Sequence, residues 1–216
     1  MINARGTDLR GGRNNDLTGV VADQSQRVKD LRVQAQTVQR SIDELTAAIN
    51  DPQVNQLNRK LERLAAPAGM QRLAGPGLVV TLDDAPLDQD VPDGTNPNLL
   101  VVHQQDLQAV INALWAGGAE GISLQGQRII GTTGIKCVGN TVRLQGVPYA
   151  PPYRIVAVGD QVAMYDALTN SPDVQDYRAF TEPPYNLGWD LRTETRVRVP
   201  AYKQPITLEY AQPLTD

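Results

Sequence analysis

LTGVVADQSQRVKDLRVQAQTVQRSIDELTAAI, residues 17–49, places its apolar side chains alternately four and three positions apart. Val21, Val28, Ala35, Ile42 and Ile49 recur every seven residues, and Leu17, Gln24, Leu31, Val38 and Leu45 fill the alternate position; of these only Gln24 is polar. A stripe repeating every 3.5 residues stays on one side of a helix and must be buried against something. The spacing therefore predicts a coiled-coil helix, with Val21, Val28, Leu31, Val38, Ile42 and Leu45 as the residues that bind a partner chain. An amphipathic helix lying on its own domain is the other way to cover such a stripe. At about 1.5 Å per residue the helix reaches roughly 50 Å. β-branched residues at the first seam position, with leucine recurring at the second, favour a parallel dimer. In two identical parallel chains Arg27 faces Arg32 of the other, a like-charge pair that an unlike partner bearing carboxylates would relieve.

Outward from this stripe, residues 1–16 carry three glycines and three arginines without an apolar period, and read as a flexible lead-in. Pro52 stops the first helix, and Asp51-Pro52 then reads as the N-cap and first residue of a second one, whose apolar stripe is Val54, Leu57, Leu61 and Leu64. Pro67, Gly69, Gly75, Pro76 and Gly77 end the helical pattern. The expected domains are thus a lead-in (1–16), a stalk (17–66) and a head (67–216). Charge supports the division: residues 1–66 hold 10 basic and 8 acidic groups, and the remainder 10 and 16.

The head begins with the continuous apolar run Leu78-Val79-Val80-Thr81-Leu82, suited to a strand buried on both faces. His103 can cap a helix with Asp106 at its third position and a stripe of Leu107, Val110, Ile111 and Leu114, ended by Gly117-Gly118. Short strands are predicted at 121–124, 128–130, 135–138, 141–144 and 154–158, separated by glycines and by Pro151-Pro152. A helical pattern returns over 160–168. The last strand, 191–199, alternates Leu191, Thr193, Thr195, Val197 and Val199 with Arg192, Glu194, Arg196 and Arg198. This order predicts an α+β class, one sheet covered by two helices.

Composition narrows the functions. The chain has 216 residues and a net charge of -4, so no overall basic field is available to hold a nucleic-acid backbone. One cysteine, Cys137, and one histidine, His103, leave no intramolecular disulfide, thiolate cage, CxxC pair or HExxH site. Neither GxxxxGK[ST] nor GxGxxG occurs. No run of about eighteen apolar residues exists, so no membrane span is visible.

The residues His103-Gln-Gln-Asp-Leu107, Val110-Ile-Asn-Ala-Leu-Trp115, Gly118-Ala-Glu-Gly-Ile122, Gln127-Arg-Ile129, Cys137-Val-Gly-Asn140, Pro151-Pro-Tyr-Arg-Ile155 and Val158-Gly159 resemble the YlxW-type bacterial family, a domain of unknown function (eight-eight-one). The resemblance runs from about Leu17 to Tyr210. It implies one membrane span near the N-terminus, which this chain lacks, then an extracytoplasmic coiled coil and a ferredoxin-like α/β sandwich head. It further implies a place at the cell membrane among envelope or cell-division proteins. The family has no established activity, so no catalytic residue carries over and a non-catalytic role is expected, without cofactors.

Single residues offer less. Asp83, Asp84, Asp88, Asp90 and Asp93 crowd one loop but miss the alternate spacing that gathers carboxylates on a calcium ion. His103 and Asp106 could form an acid/base pair, yet helix capping accounts for both. Cys137 reads as a small buried side chain. Ser123 and Gln125, with Arg128 and Asn140, could line a polar groove for a small ligand or a cell-wall fragment; a solvated sheet face gives the same pattern. Arg192, Arg196 and Arg198 at period two could meet a partner's carboxylates, acidic lipid or a wall polymer, or could simply block strand addition.

Overall fold

Helix α1, Arg10–Ala48, runs for 39 residues, and α2, Pro52–Ala65, for 14. In the computed structural model residues 10–49, 51–139 and 141–204 are described, with the side chains of α1 from Asp23 onward except Ser25 and Arg32. Residues 1–9 of the expected lead-in fall outside them. Its remainder is helical: the first turns of α1 include Gly11 and Gly12, each costing about 1 kcal/mol relative to alanine, but no proline interrupts them. The break between the helices is as expected. The carboxylate of Asp51 accepts from the amides of Gln53 (2.7 Å) and Val54 (3.2 Å), capping α2, and Pro52 occupies its first position, where no donor is needed. The chain divides into two compact units, Met1–Lys60 and Leu61–Asp216.

The second unit is built on five strands, β1 (Leu73–Asp83), β2 (Gly121–Leu124), β3 (Gln127–Ile129), β7 (Tyr153–Val158) and β8 (Gly188–Val199). They form one sheet in the order β3-β2-β7-β1-β8, in which every neighbouring pair is antiparallel. Helix α3 (Gln104–Ala116) connects β1 to β2; α4 (Gln161–Asn170) and α5 (Pro172–Ala179) connect β7 to β8. The element order β-α-β, then β-α-α-β, is the expected α+β arrangement with one more helix. The helical pattern expected over 160–168 is α4, and Pro172 then starts the further helix α5 at its first turn.

A separate three-stranded sheet, β4 (Ile135–Val138), β5 (Thr141–Leu144) and β6 (Val147–Tyr149), is inserted between β3 and β7, so the expected single sheet is two. Two-residue turns make the β5–β6 and β2–β3 hairpins. Gln125 and Gly126, and again Gln145 and Gly146, take positive φ (49° and 74°, 50° and 82°), the backbone twist that matches the strands they join.

The main core lies between the large sheet and α3, α4 and α5: Leu78, Val80, Leu82, Leu107, Val110, Leu114, Ile122, Leu124, Ile155, Met164 and Leu168 are at most 1% exposed. Burial of this kind stabilises by roughly 25 cal/mol per Å² of apolar surface. Val79, Val156, Val158, Val197 and Val199 form a second cluster. Their parity puts them on the other face of the sheet, which explains the unbroken apolar run of β1: both of its faces are covered.

Candidate functional site

The seam residues of α1 are exposed, Leu31 57%, Val38 59%, Ile42 50% and Leu45 69%, as is Ile49 just past the end of the helix, 50%. Val28 is half-buried, and Val21 lies within α1 with its side chain outside the described set. Four large apolar side chains at successive spacings of seven, four and three residues, all facing water on one helix, are not the scatter of single apolar residues that ordinary surfaces carry. Local polar contacts run along the helix beside the seam and on its outer side. Gln26 donates to Asp30 (2.9 Å) and Gln39 to Asp43 (3.0 Å), both one turn on.

In the head, the residues expected to form a ligand groove are spent on the fold. Ser123 and Arg128 are cross-strand neighbours on β2 and β3, but they are 2% and 4% exposed. Arg128 Nη1 donates to the carbonyls of Gln71 (3.1 Å) and Pro200 (3.2 Å). It thereby ties the residues entering β1 to those leaving β8, where Tyr202 N–H also donates to the Gly69 carbonyl (2.9 Å). Burial lowers the pKa of its guanidinium. Gln125 donates to the carbonyls of Ala150 and Pro152 and accepts from Arg154 N–H, bracing the turn between β6 and β7. Asn140 lies outside the described residues. These side chains do not line an open groove: a polar residue on a strand reads as solvated until the segments that fold over it are known.

The arginines of β8 are corrected as well. Val197 pairs with Gly75 and Glu194 with Gly77, so Thr195 and Arg196 together oppose Pro76, a β-bulge. Pro76 has no N–H to donate, and the ladder slips there. The extra residue reverses the alternation. Arg192, opposite Val79, lies on the face of the second cluster, whereas Arg198, opposite Ala74, lies on the side of α3–α5. The three arginines therefore share no single face, and Arg192 is already paired to Asp190 at 2.8 Å.

His103 and Asp106 perform the capping expected of them. The Asp106 carboxylate accepts from His103 N–H at 2.7 Å and stands 3.8 Å from the imidazole Nδ1. Burial raises the Asp106 pKa, with the His103 amide opposing. Cys137, expected to be buried, is exposed, because β4 is an edge strand of the smaller sheet. Its Sγ accepts from Gln104 N–H (3.2 Å) and its N–H donates to Gln104 Oε1 (2.9 Å). The acidic loop is likewise used locally: Asp84 accepts from Val102 N–H at 2.8 Å.

Two clefts remain. One of about 420 Å³ lies between α3 and α5 and is lined by Asp106, Asn112, Asp173, Asp176 and Tyr177 among others. The other, about 220 Å³, is lined by Tyr165, Arg178 and Trp189, with the guanidinium 5.9 Å from the indole centroid. Sequence reading misses both, since both depend on α5.

A family described as "Bacterial protein of unknown function (DUF881)" matches residues 60–212. The UPF0749 protein Rv1823 of Mycobacterium tuberculosis is 30% identical over 156 residues, 70% of this chain and 50% of its own length. A second protein of that organism, UPF0749 protein Rv1825, is 26% identical over 217 residues, 97% of this chain and 68% of its own length. UPF0749 protein YlxW of Bacillus subtilis is 35% identical over 94 residues, 44% of this chain and 39% of its own length. The chain thus spans half or less of the length of two of these relatives. A crystal structure of an uncharacterized conserved protein from Mycobacterium tuberculosis aligns with a TM-score of 0.53 at 26% identity, covering 72% of this chain and 99% of that one.

Proposed function

Because the chain belongs to the bacterial DUF881 family, whose members have no known function, we propose, from its own surfaces, that it is a non-catalytic interaction or scaffold protein of the cell envelope. In this reading α1 pairs with another helix as a coiled coil and carries a ferredoxin-like head toward envelope or cell-division proteins. The observation that carries it is the exposed seam: Leu31, Val38, Ile42 and Leu45 lie half or more in water along one line of α1. Covering such a line is worth about 0.8 kcal/mol per buried CH₂. The ferredoxin-like reading of the head is supported by the strand order β8-β1-β7-β2, with a helical crossover after the first and third of these strands in sequence. Attachment to the membrane on its extracytoplasmic side comes from the family resemblance. Among the described residues no helix is long and apolar enough to cross a membrane, so the anchor in this reading is not one of the helices described.

A photo-crosslinking residue placed in the native host at Val38 or Leu45, and separately at Arg40 on the opposite side of α1, tests the seam. Val38 and Leu45 should each yield a discrete adduct with a second polypeptide, of this chain or another, and Arg40 should not. Equal adducts at all three positions, or none at the seam, would refute the pairing.

A further inference from the structure

Resting on the seam reading above, we propose that the chain covering α1 is not a copy of this one but an unlike parallel helix bearing carboxylates at the two positions that flank the seam opposite Arg27 and Arg32. The heptad fixes which flanking residues meet. In a parallel pair the position before a first seam residue faces, across the interface, the position five residues later on the partner. For two identical chains this sets position 27 against 32, arginine against arginine, on both sides of the two-fold axis. The neighbouring flanking positions hold Val20 and Ser25, Gln34 and Gln39, and Ser41 and Thr46. None is charged, so no other flanking pair in a self-pair compensates the repulsion.

The pair is taken as parallel, the orientation in which β-branched residues at the first seam position, Val28, Ile42 and Ile49, with leucine at the second, Leu31 and Leu45, favour two strands. Arg27 is exposed and forms no ion pair among the described residues, where the outer-side acids Asp30 and Asp43 are taken by Gln26 and Gln39. A charge left at the rim of a seam selects its partner, because the same residue that repels a copy attracts a carboxylate. Unlike relatives do coexist in one cell: Mycobacterium tuberculosis carries both Rv1823 and Rv1825, and the match to Rv1825 extends over 97% of this chain, the α1 region included. A second family member with acids at those two positions fits the chemistry.

The experiment uses the full chain and, as a stand-in for an acid-flanked partner, the same chain carrying R27E and R32E. Sedimentation equilibrium is run on wild type alone, on the double variant alone, and on an equimolar mixture with one component labelled. Each flanking pair swings from repulsion to attraction, so the mixed pair should associate about tenfold more tightly than either chain with itself. The single variant R27E, which in a self-pair sets the introduced carboxylate against Arg32, should associate with itself as tightly as the mixture does. Raising sodium chloride to about 1 M, where the screening length falls to roughly 3 Å, should weaken the mixture and R27E yet leave wild type unchanged or tighter. If wild type pairs with itself as tightly as the mixture, the unlike partner is refuted while the coiled coil stands. If no combination associates, the seam reading falls, and this inference with it.

Discussion

Arg128 shows what a single residue can do that its neighbours in sequence do not announce. It is 4% exposed, its Nη1 is shared between the carbonyls of Gln71 and Pro200, and its Nε has no hydrogen-bond partner among the described residues. No carboxylate pairs with it among them either. A buried cation held only by carbonyls forfeits hydration that the two bonds repay in part, so its contribution lies as much in its packed stem as in its charge. Arg128→Ala should lower the unfolding free energy by about 2–4 kcal/mol, from lost bonds and a cavity. Arg128→Met, which keeps most of the stem and removes the charge, should cost less than half of that; urea denaturation of the two variants compares them, and equal losses would show that the charge is what matters. Sequence alone places Arg128 correctly on a strand beside Ser123. It cannot reveal that Gln71 and Pro200, 57 and 72 residues away, close over the guanidinium.

Asp84 carries a pH dependence of the same origin. Burial raises its carboxyl pKa, outweighing the Val102 amide that favours the anion. A folded pKa above the unfolded one means that the folded chain holds the proton more tightly. This contribution is fully present below the unfolded pKa, near 3.8, and is lost as pH rises through the folded value. Asp84→Asn cannot lose it. Compared with wild type, the variant should therefore gain in relative stability as pH rises from about 3 to 6, by chemical denaturation at each pH; a difference that stays flat or moves the other way contradicts the burial argument.

At the scale of elements, legibility follows the range of the forces that shape each one. Helix α1 is set by a period that repeats within its own sequence, and α3 by a cap and a stripe that lie within a few turns of each other, so both are legible in place. The hairpins at Gln125-Gly126 and Gln145-Gly146 are equally local, although β6 is too short to stand out in the sequence. Strand β8 is located correctly from its alternation but its faces are not, because the bulge that reverses them is imposed by Pro76 on the neighbouring strand β1. The same reasoning predicts how α1 behaves alone. A helix whose apolar line is wet depends on association for much of its stability. Far-UV circular dichroism at 222 nm should grow with protein concentration in the presence of the acid-flanked variant of this chain, and Ile42→Asn, which puts an amide in the seam, should remove that growth. Helicity that is independent of concentration in both proteins would mean that α1 needs no neighbour.

For the whole molecule, the main core consists of residues from Leu78 to Leu187, with Leu100, Tyr149, Phe180, Trp189 and Leu191 packed at its margin, and the second cluster of strands draws on Leu73 and Val79 through Val199. No described residue of α1 belongs to either cluster. Domain-level thermodynamics follows from that membership: energy stored in contacts among one set of residues is insensitive to changes in another set that shares none of them. In the pairing proposed above, the α1 seam and the head should respond separately to the same substitution. The near-UV signal of Tyr177 and Trp189, whose ring centroids are 6.0 Å apart, reports the head, and ellipticity at 222 nm includes α1. Ile42→Asn should leave the head's melting temperature within about 1 °C of wild type, as a surface change within ±0.5 kcal/mol would, while it lowers the helical signal. A shift of several degrees in the near-UV transition would instead mean that the seam is covered by the head, an arrangement in which Leu31, Val38 and Leu45 would need no second chain.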